Sequence, residues 1–214
     1  MNEPPMGLDE LEHDALTELL NIGVSRAAVN LRKMVEEQVL LSVPSVEVVT
    51  RKAAATLIRE RESDELVAVR QDFEGVFSGR ALLIFPERNS LAIVKAVTHD
   101  TLSDEEAQSM ETEALAETGN IVLNGCLATM ANMLKRPLSM ALPEVIRGGG
   151  KILFELDTRS APSGVVLFLY INFMINDRDI RGYIAMLMDL PSVEMLKTLI
   201  GEFIGRVTNG NDAS

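Results

Sequence analysis

The chain has no tryptophan, two tyrosines and seven phenylalanines, so aromatic residues make up only 4% of it, and its eleven methionines read as core filler. A single cysteine, Cys126, excludes a disulfide framework. Set among small and apolar neighbours in "NGCLATMANML", it reads as a buried hydrophobe rather than a reactive thiol. Only two histidines are present, His13 and His99, and there is no H-E-x-x-H, no G-x-S-x-G and no glycine-rich loop ending in Lys-Ser or Lys-Thr. Zinc peptidase, serine hydrolase and nucleotide-cradling chemistry therefore lack their residues. His13-Asp14 has the wording of a metal phosphohydrolase, but the further His and Asp ligands of such a centre are missing. The longest apolar run, Val165 to Ile175, is far shorter than the roughly 20 residues of a membrane span and reads as a buried strand. The first residues lack the basic-then-apolar order of a signal peptide, so the expected compartment is the cytoplasm. Positive charge is scarce: 20 Lys and Arg against 32 Asp and Glu give a formal net charge of −12, which repels nucleic acid and anionic membranes.

What is present is a folded composition, 47% hydrophobic over 214 residues. From Asp9 to about Glu37 apolar residues recur at helical spacing without a proline, predicting a long amphipathic helix. "VLLSVPSVEVVT", "ELVAVRQDFEG" and "GRALLIFP" read as three strands, and "PERNSLAIVKAVTHD" as a short helix. The order then recurs. A helix is expected over Asp104 to Lys135, strands over "LSMALPEVI", "KILFELDT", "GVVLFLYINFMI" and "RGYIAMLMDL", and a last helix from "PSVEMLKTLIGEF" with Ser192 as its cap. "RGGGK", Arg147 to Lys151, reads as a flexible connection between strands.

The recurrence extends to identities. Sliding Asp14–Glu47 onto Glu113–Ile146 pairs Ala15, Leu16, Glu18, Asn21, Ile22, Met34, Pro44 and Val46 with identical residues, which argues for internal duplication. Helices followed by antiparallel strands imply an α+β fold, and a half of this size cannot cover its own strands. The reading is a single unit over residues 9–206, built from repeats of about 9–100 and 104–206 related by a pseudo-twofold, with flexible ends at 1–8 and 207–214.

Glu18 and Asn21, like Glu117 and Asn120, are three residues apart. On a helix that places them about 60° apart around the axis, side by side on one face. Asp14 lies one turn earlier. Such a pair is usually solvated surface; its repetition, with Gly23 and Gly119 beside it despite the cost of glycine in helices, argues for selection. The glycines allow close approach either of a partner's backbone or of the chain's own elements.

Asp14-x3-Glu18-x2-Asn21-x22-Pro44 and Glu117-x2-Asn120-x22-Pro143 resemble the signature of the CheC/CheX/FliY phosphatases of bacterial chemotaxis, with "NIGVSRAAVNL" and "LLSVPSV" closest to CheC. The resemblance implies an α+β duplication with two long surface helices packed on an antiparallel sheet. It implies hydrolysis of the aspartyl phosphate of CheY-like receiver domains, with Asn21 and Asn120 orienting the attacking water and Glu18 and Glu117 engaging the receiver's lysine. No cofactor or metal is expected on this chain, since the receiver supplies Mg²⁺. It also implies CheD as a further partner and, for the chain itself, a monomer. The alternative is a non-catalytic module of the same fold that docks a receiver, CheD or a flagellar-switch component. The second copy departs from the pattern: Glu113, a longer acid, stands where the first has Asp14, so unequal sites are expected.

Overall fold

The computed structural model describes residues 7–63, 65–99, 101–156, 164–175 and 178–209. The chain begins with α1 (Glu10–Val35), β1 (Val39–Thr50), α2 (Arg51–Arg61), β2 (Leu66–Gly75), β3 (Gly79–Pro86) and α3 (Ser90–Val97). After α4 (Asp104–Ser109) the series returns as α5 (Glu111–Met133), β4 (Leu138–Met140), β5 (Glu144–Arg147), α6 (Gly150–Leu153), β6 (Gly164–Ile175), β7 (Arg178–Asp189) and α7 (Leu190–Thr208).

Local chemistry accounts for the helix starts. Asp9 accepts from the Glu12 backbone N–H at 2.8 Å while Glu12 accepts from that of Asp9 at 3.0 Å, a reciprocal cap for α1. Thr50 caps α2, and Asp189 caps α7 by accepting from the Ser192 backbone N–H at 2.9 Å. The cap of α7 is thus Asp189 rather than Ser192, with Pro191 lying inside the first turn, where a missing N–H costs nothing.

All seven strands form one sheet in the order β1-β6-β7-β3-β2-β4, with β5 also on β2, and every pairing is antiparallel. β3 and β7 meet at the centre, and each half lends its first strand to the other half: β1 pairs with β6, while β4 and β5 pair with β2. This reciprocal exchange is the pseudo-twofold in structural terms. β6 is apolar along its length because both its faces are covered. Val165, Leu167, Leu169 and Ile171 enter the larger core beneath α1, α3, α5 and α7, while Val166, Phe168 and Tyr170 enter a second core beneath α2 and α6.

Five elements differ from the sequence reading. "LSMALPEVI" is two strands, β4 and β5, broken at residues 141–143 where Pro143 cannot donate to a ladder. "KILFELDT" is not a strand: Gly150–Leu153 is helical and turns follow to residue 156, while Asp157 and Thr158 lie outside the described residues. "RGGGK" ends β5 and begins α6, with Gly148 at φ 141° and Gly149 as the helix cap. The helix expected over Asp104 to Lys135 divides at Met110, because Ser103 and Glu106 form a reciprocal cap for a separate short α4. α2 was not anticipated; its buried face is only Ala54, Ala55 and Ile58 within a charged segment. Of the ends expected to be flexible, residues 1–6 and 210–214 lie outside the described residues, and α7 continues to Thr208.

The prolines of the repeated motif fall in the edge strands. Pro44 lies where the β1 register shifts, between Ser42 and Ser45, and Pro143 falls in the gap between β4 and β5. Proline has no N–H to give a ladder, so it belongs at such breaks.

Candidate functional site

α1 and α5 pack against each other above the larger core. On α1, Leu16, Leu19, Leu20 and Gly23 are buried, which turns Asp14 and Glu18 fully outward and leaves Asn21 half-buried at the margin. On α5, burial of Leu115, Thr118, Gly119 and Val122 does the same for Glu113, Glu117 and Asn120. Both pairs therefore face outward. In each, a carboxylate stands in solvent and a carboxamide lies one helical step inward, closer to the packed surface.

The neighbouring glycines serve the fold. A Cβ at Gly119 would lie 2.4 Å from the Val69 side chain on β2, one at Gly125 2.9 Å from the Ala27 backbone, and one at Gly23 3.1 Å from the Cys126 backbone. Gly119 thus seats α5 on the sheet, while Gly23 and Gly125 let the two long helices cross closely. Cys126 is fully buried at that crossing, and burial pushes its thiol up to about 12, so it is a packing residue.

The two carboxamides differ in their surroundings. Asn21 makes no side-chain hydrogen bond among the described residues, and with Glu18, Ile22, Ser25, Arg26 and Val29 it lines a shallow depression of about 300 Å³. Asn120 ends a hydrogen-bond chain. Its Oδ1 accepts from Asn124 Nδ2 at 2.6 Å, Asn124 Oδ1 accepts from Gln71 Nε2 at 3.0 Å, and Gln71 Nε2 also donates to the Ala141 carbonyl at 2.8 Å. Ala141 lies just before Pro143 in the break between β4 and β5, and its N–H is held by the Asp72 carbonyl at 2.9 Å. Sequence reasoning missed Gln71 and Asn124. Asn124 stands one helical turn after Asn120 and was open to that reading. Gln71 is 53 residues from Asn124, and nothing local connects them.

The N-terminus of α5 is tied down by an ion pair at 2.7 Å between Glu111 and Arg147 at the end of β5. A cleft of about 610 Å³ lies elsewhere, between α2 and α6, the helices on the opposite face of the sheet; Lys52, Ile58, Arg59 and Lys151 are among its lining residues. Beside it Glu62 is buried and held by Arg88 at 3.1 Å and by the Tyr183 hydroxyl, which donates at 2.6 Å. That carboxylate is fully engaged as a structural tie. Among the described residues no group of three His, Cys, Asp or Glu is placed to hold a metal ion, and no helix is long and apolar enough to cross a membrane.

Comparison with known proteins relates this geometry to a family. The model of the family described as "Chemotaxis phosphatase CheX" matches residues 67–167, a segment that holds Gln71, Glu117, Asn120, Asn124 and Pro143 and leaves out α1. The fold is similar to that of FliY from Thermotoga maritima, with a TM-score of 0.72 and 16% identity over 92% of this chain and 98% of that one. It is also similar to FliM in the FliG–FliM complex from H. pylori (TM-score 0.63, 9% identity, 89% of this chain and 100% of that one). A third similar structure is CheX in a complex with CheY, BeF3 and Mg²⁺ from Borrelia burgdorferi (TM-score 0.50, 15% identity, 81% and 99% covered). The duplicated Glu-x-x-Asn turns face outward on two long helices over one antiparallel sheet, and the family match spans α5, so the chain has the fold of the CheC/CheX/FliY chemotaxis proteins and resembles that family in sequence over residues 67–167.

Proposed function

We propose that the chain hydrolyses the aspartyl phosphate of a CheY-like receiver domain, using Glu18 with Asn21 and Glu117 with Asn120. The observation that carries this reading is the outward placement of both pairs on rigid helices, with each amide half-buried behind an exposed carboxylate. An acyl phosphate is already activated, being a mixed carboxylic–phosphoric anhydride. Its hydrolysis needs a water oxygen to form a bond to phosphorus as the bond from phosphorus to the aspartate oxygen breaks, the aspartate leaving as carboxylate and the water proton passing to the released phosphate. A carboxamide suits the task of holding that water in line, since it donates and accepts hydrogen bonds and does not titrate. The carboxylates would reach the receiver's lysine and fix the docking. Mg²⁺ arrives with the receiver as part of the substrate.

In this reading the protein works in the cytoplasm as a monomer, with CheD a second partner, and the likeness to CheC indicated by the first motif extends to activity. A second reading is favoured by the FliM relative, which shares the fold and was solved bound to FliG: the chain docks a receiver or switch component without catalysis.

Phosphate release from a phosphorylated receiver separates the two. The wild-type chain is expected to accelerate it, and Asn21→Ala combined with Asn120→Ala to abolish the acceleration while binding persists, each site losing roughly 10²–10³ in rate as when one positioned donor is removed. Tight binding of the phosphorylated receiver with no acceleration by the wild-type chain would establish the docking module instead.

A further inference from the structure

We infer that Gln71 and Asn124 are positioning residues that set which end of the Asn120 amide faces the substrate, and that the first site has no such device. This rests on the phosphatase reading and deepens it.

A backbone carbonyl only accepts, so at Ala141 it fixes the identity of the Gln71 terminus: the group 2.8 Å away must be the NH₂. The second hydrogen of that NH₂ then requires an acceptor at 3.0 Å, which fixes Asn124 with Oδ1 toward Gln71 and Nδ2 toward Asn120. A donor at 2.6 Å in turn fixes Asn120 with Oδ1 inward. Amide orientations are ordinarily ambiguous, but here one carbonyl determines all three. Asn120 is left presenting Nδ2 outward, a donor to the attacking water or to a phosphoryl oxygen. Gln71 is 2% exposed, and its Oε1 is buried with no hydrogen-bond partner. Such an orphan acceptor is costly, and a network concerned only with stability would not need to retain it.

Among the described residues the first copy lacks this construction. Ser25 occupies the place of Asn124, one turn after Asn21, and the strand corresponding to β2 is β6, whose core-facing residues Val165, Leu167, Leu169 and Ile171 offer no polar group. Asn21 can present either end of its amide. The difference is therefore one of pre-organisation and not of chemistry.

The test uses the full chain carrying Asn21→Ala, so that only the second site reports. Asn124→Asp still accepts from Gln71, but it accepts toward Asn120 as well, so it turns the Asn120 amide around. Asn124→Leu breaks the chain and leaves Asn120 free. A structural role predicts that the leucine variant, which strands the Gln71 donor, is the worse of the two. A positioning role predicts the reverse order in kcat: about 2- to 10-fold loss for Asn124→Leu, the value of one ordered hydrogen bond, and about 10²-fold for Asn124→Asp, with KM within twofold in both. A readout independent of activity accompanies it: the Asn124 side-chain NH₂ should exchange slowly with solvent and become fast in a Gln71→Leu variant. Equal kcat for parent and Asn124→Asp variants, or a fall that tracks thermal stability instead, overturns the inference and leaves the phosphatase reading standing. If the parent itself shows no acceleration above that of the Asn21→Ala/Asn120→Ala chain while the wild type does, the second site is not catalytic and the inference falls with it.

Discussion

The Glu-x-x-Asn turns of α1 and α5 share residue types, spacing and exposure, yet among the described residues one ends in an amide without a partner and the other in an amide held through two further side chains to the sheet. Duplication has kept the groups that would meet the substrate and let their support diverge. Side chains facing a partner are constrained by that partner's chemistry, whereas those behind them need only suit the local packing, and β2 and β6 have found different solutions. Glu113, the departure that led to the expectation of unequal sites, is exposed near the start of α5, and the amide of Asn120 beyond it is the one held by hydrogen bonds.

Removing one amide at a time gives the largest measurable contrast between the sites. In steady-state dephosphorylation of a receiver, Asn120→Ala should lower kcat about 2- to 10-fold and Asn21→Ala less than twofold, because the oriented amide carries most of the turnover. Equal losses would mean that orientation contributes nothing.

The glycines extend the contrast to stability. Gly119→Ala should cost about 1–3 kcal/mol in urea unfolding, since its Cβ meets the Val69 side chain at 2.4 Å where α5 seats on the sheet. Gly23→Ala should cost less, because its nearest neighbour lies at 3.1 Å and a small shift of the crossing helices relieves it. A larger penalty at Gly23 would show that the helix crossing, not the seat on the sheet, limits the packing beside the sites.

Much of this was legible in the chain. The apolar spacing of α1, the continuous apolar run of β6 and the repeated identities led to an α+β duplication with two long helices, the family resemblance implied that these helices lie on the surface of the sheet, and the outward placement of Glu18, Asn21, Glu117 and Asn120 follows from the burial of Leu16, Leu19, Leu115 and Val122 on the opposite sides. α6 was misread because a short apolar run does not distinguish strand from buried helix, and α2 escaped because two alanines and one isoleucine make a weak stripe. The exchange of first strands and the link from Gln71 to Asn120 were beyond reach, since each depends on residues brought together by the sheet and not by spacing.

The most direct measurement is a structure of the chain bound to a phosphorylated or BeF3-bearing CheY-like receiver with Mg²⁺. The account predicts that α1 or α5 lies across the receiver's active site, with the carboxylate on its lysine and Asn Nδ2 within hydrogen-bond distance of the water in line with phosphorus or of the group standing in for phosphate. A complex in which the receiver docks over α2 and α6, leaving both Glu-x-x-Asn turns uncovered, would contradict it.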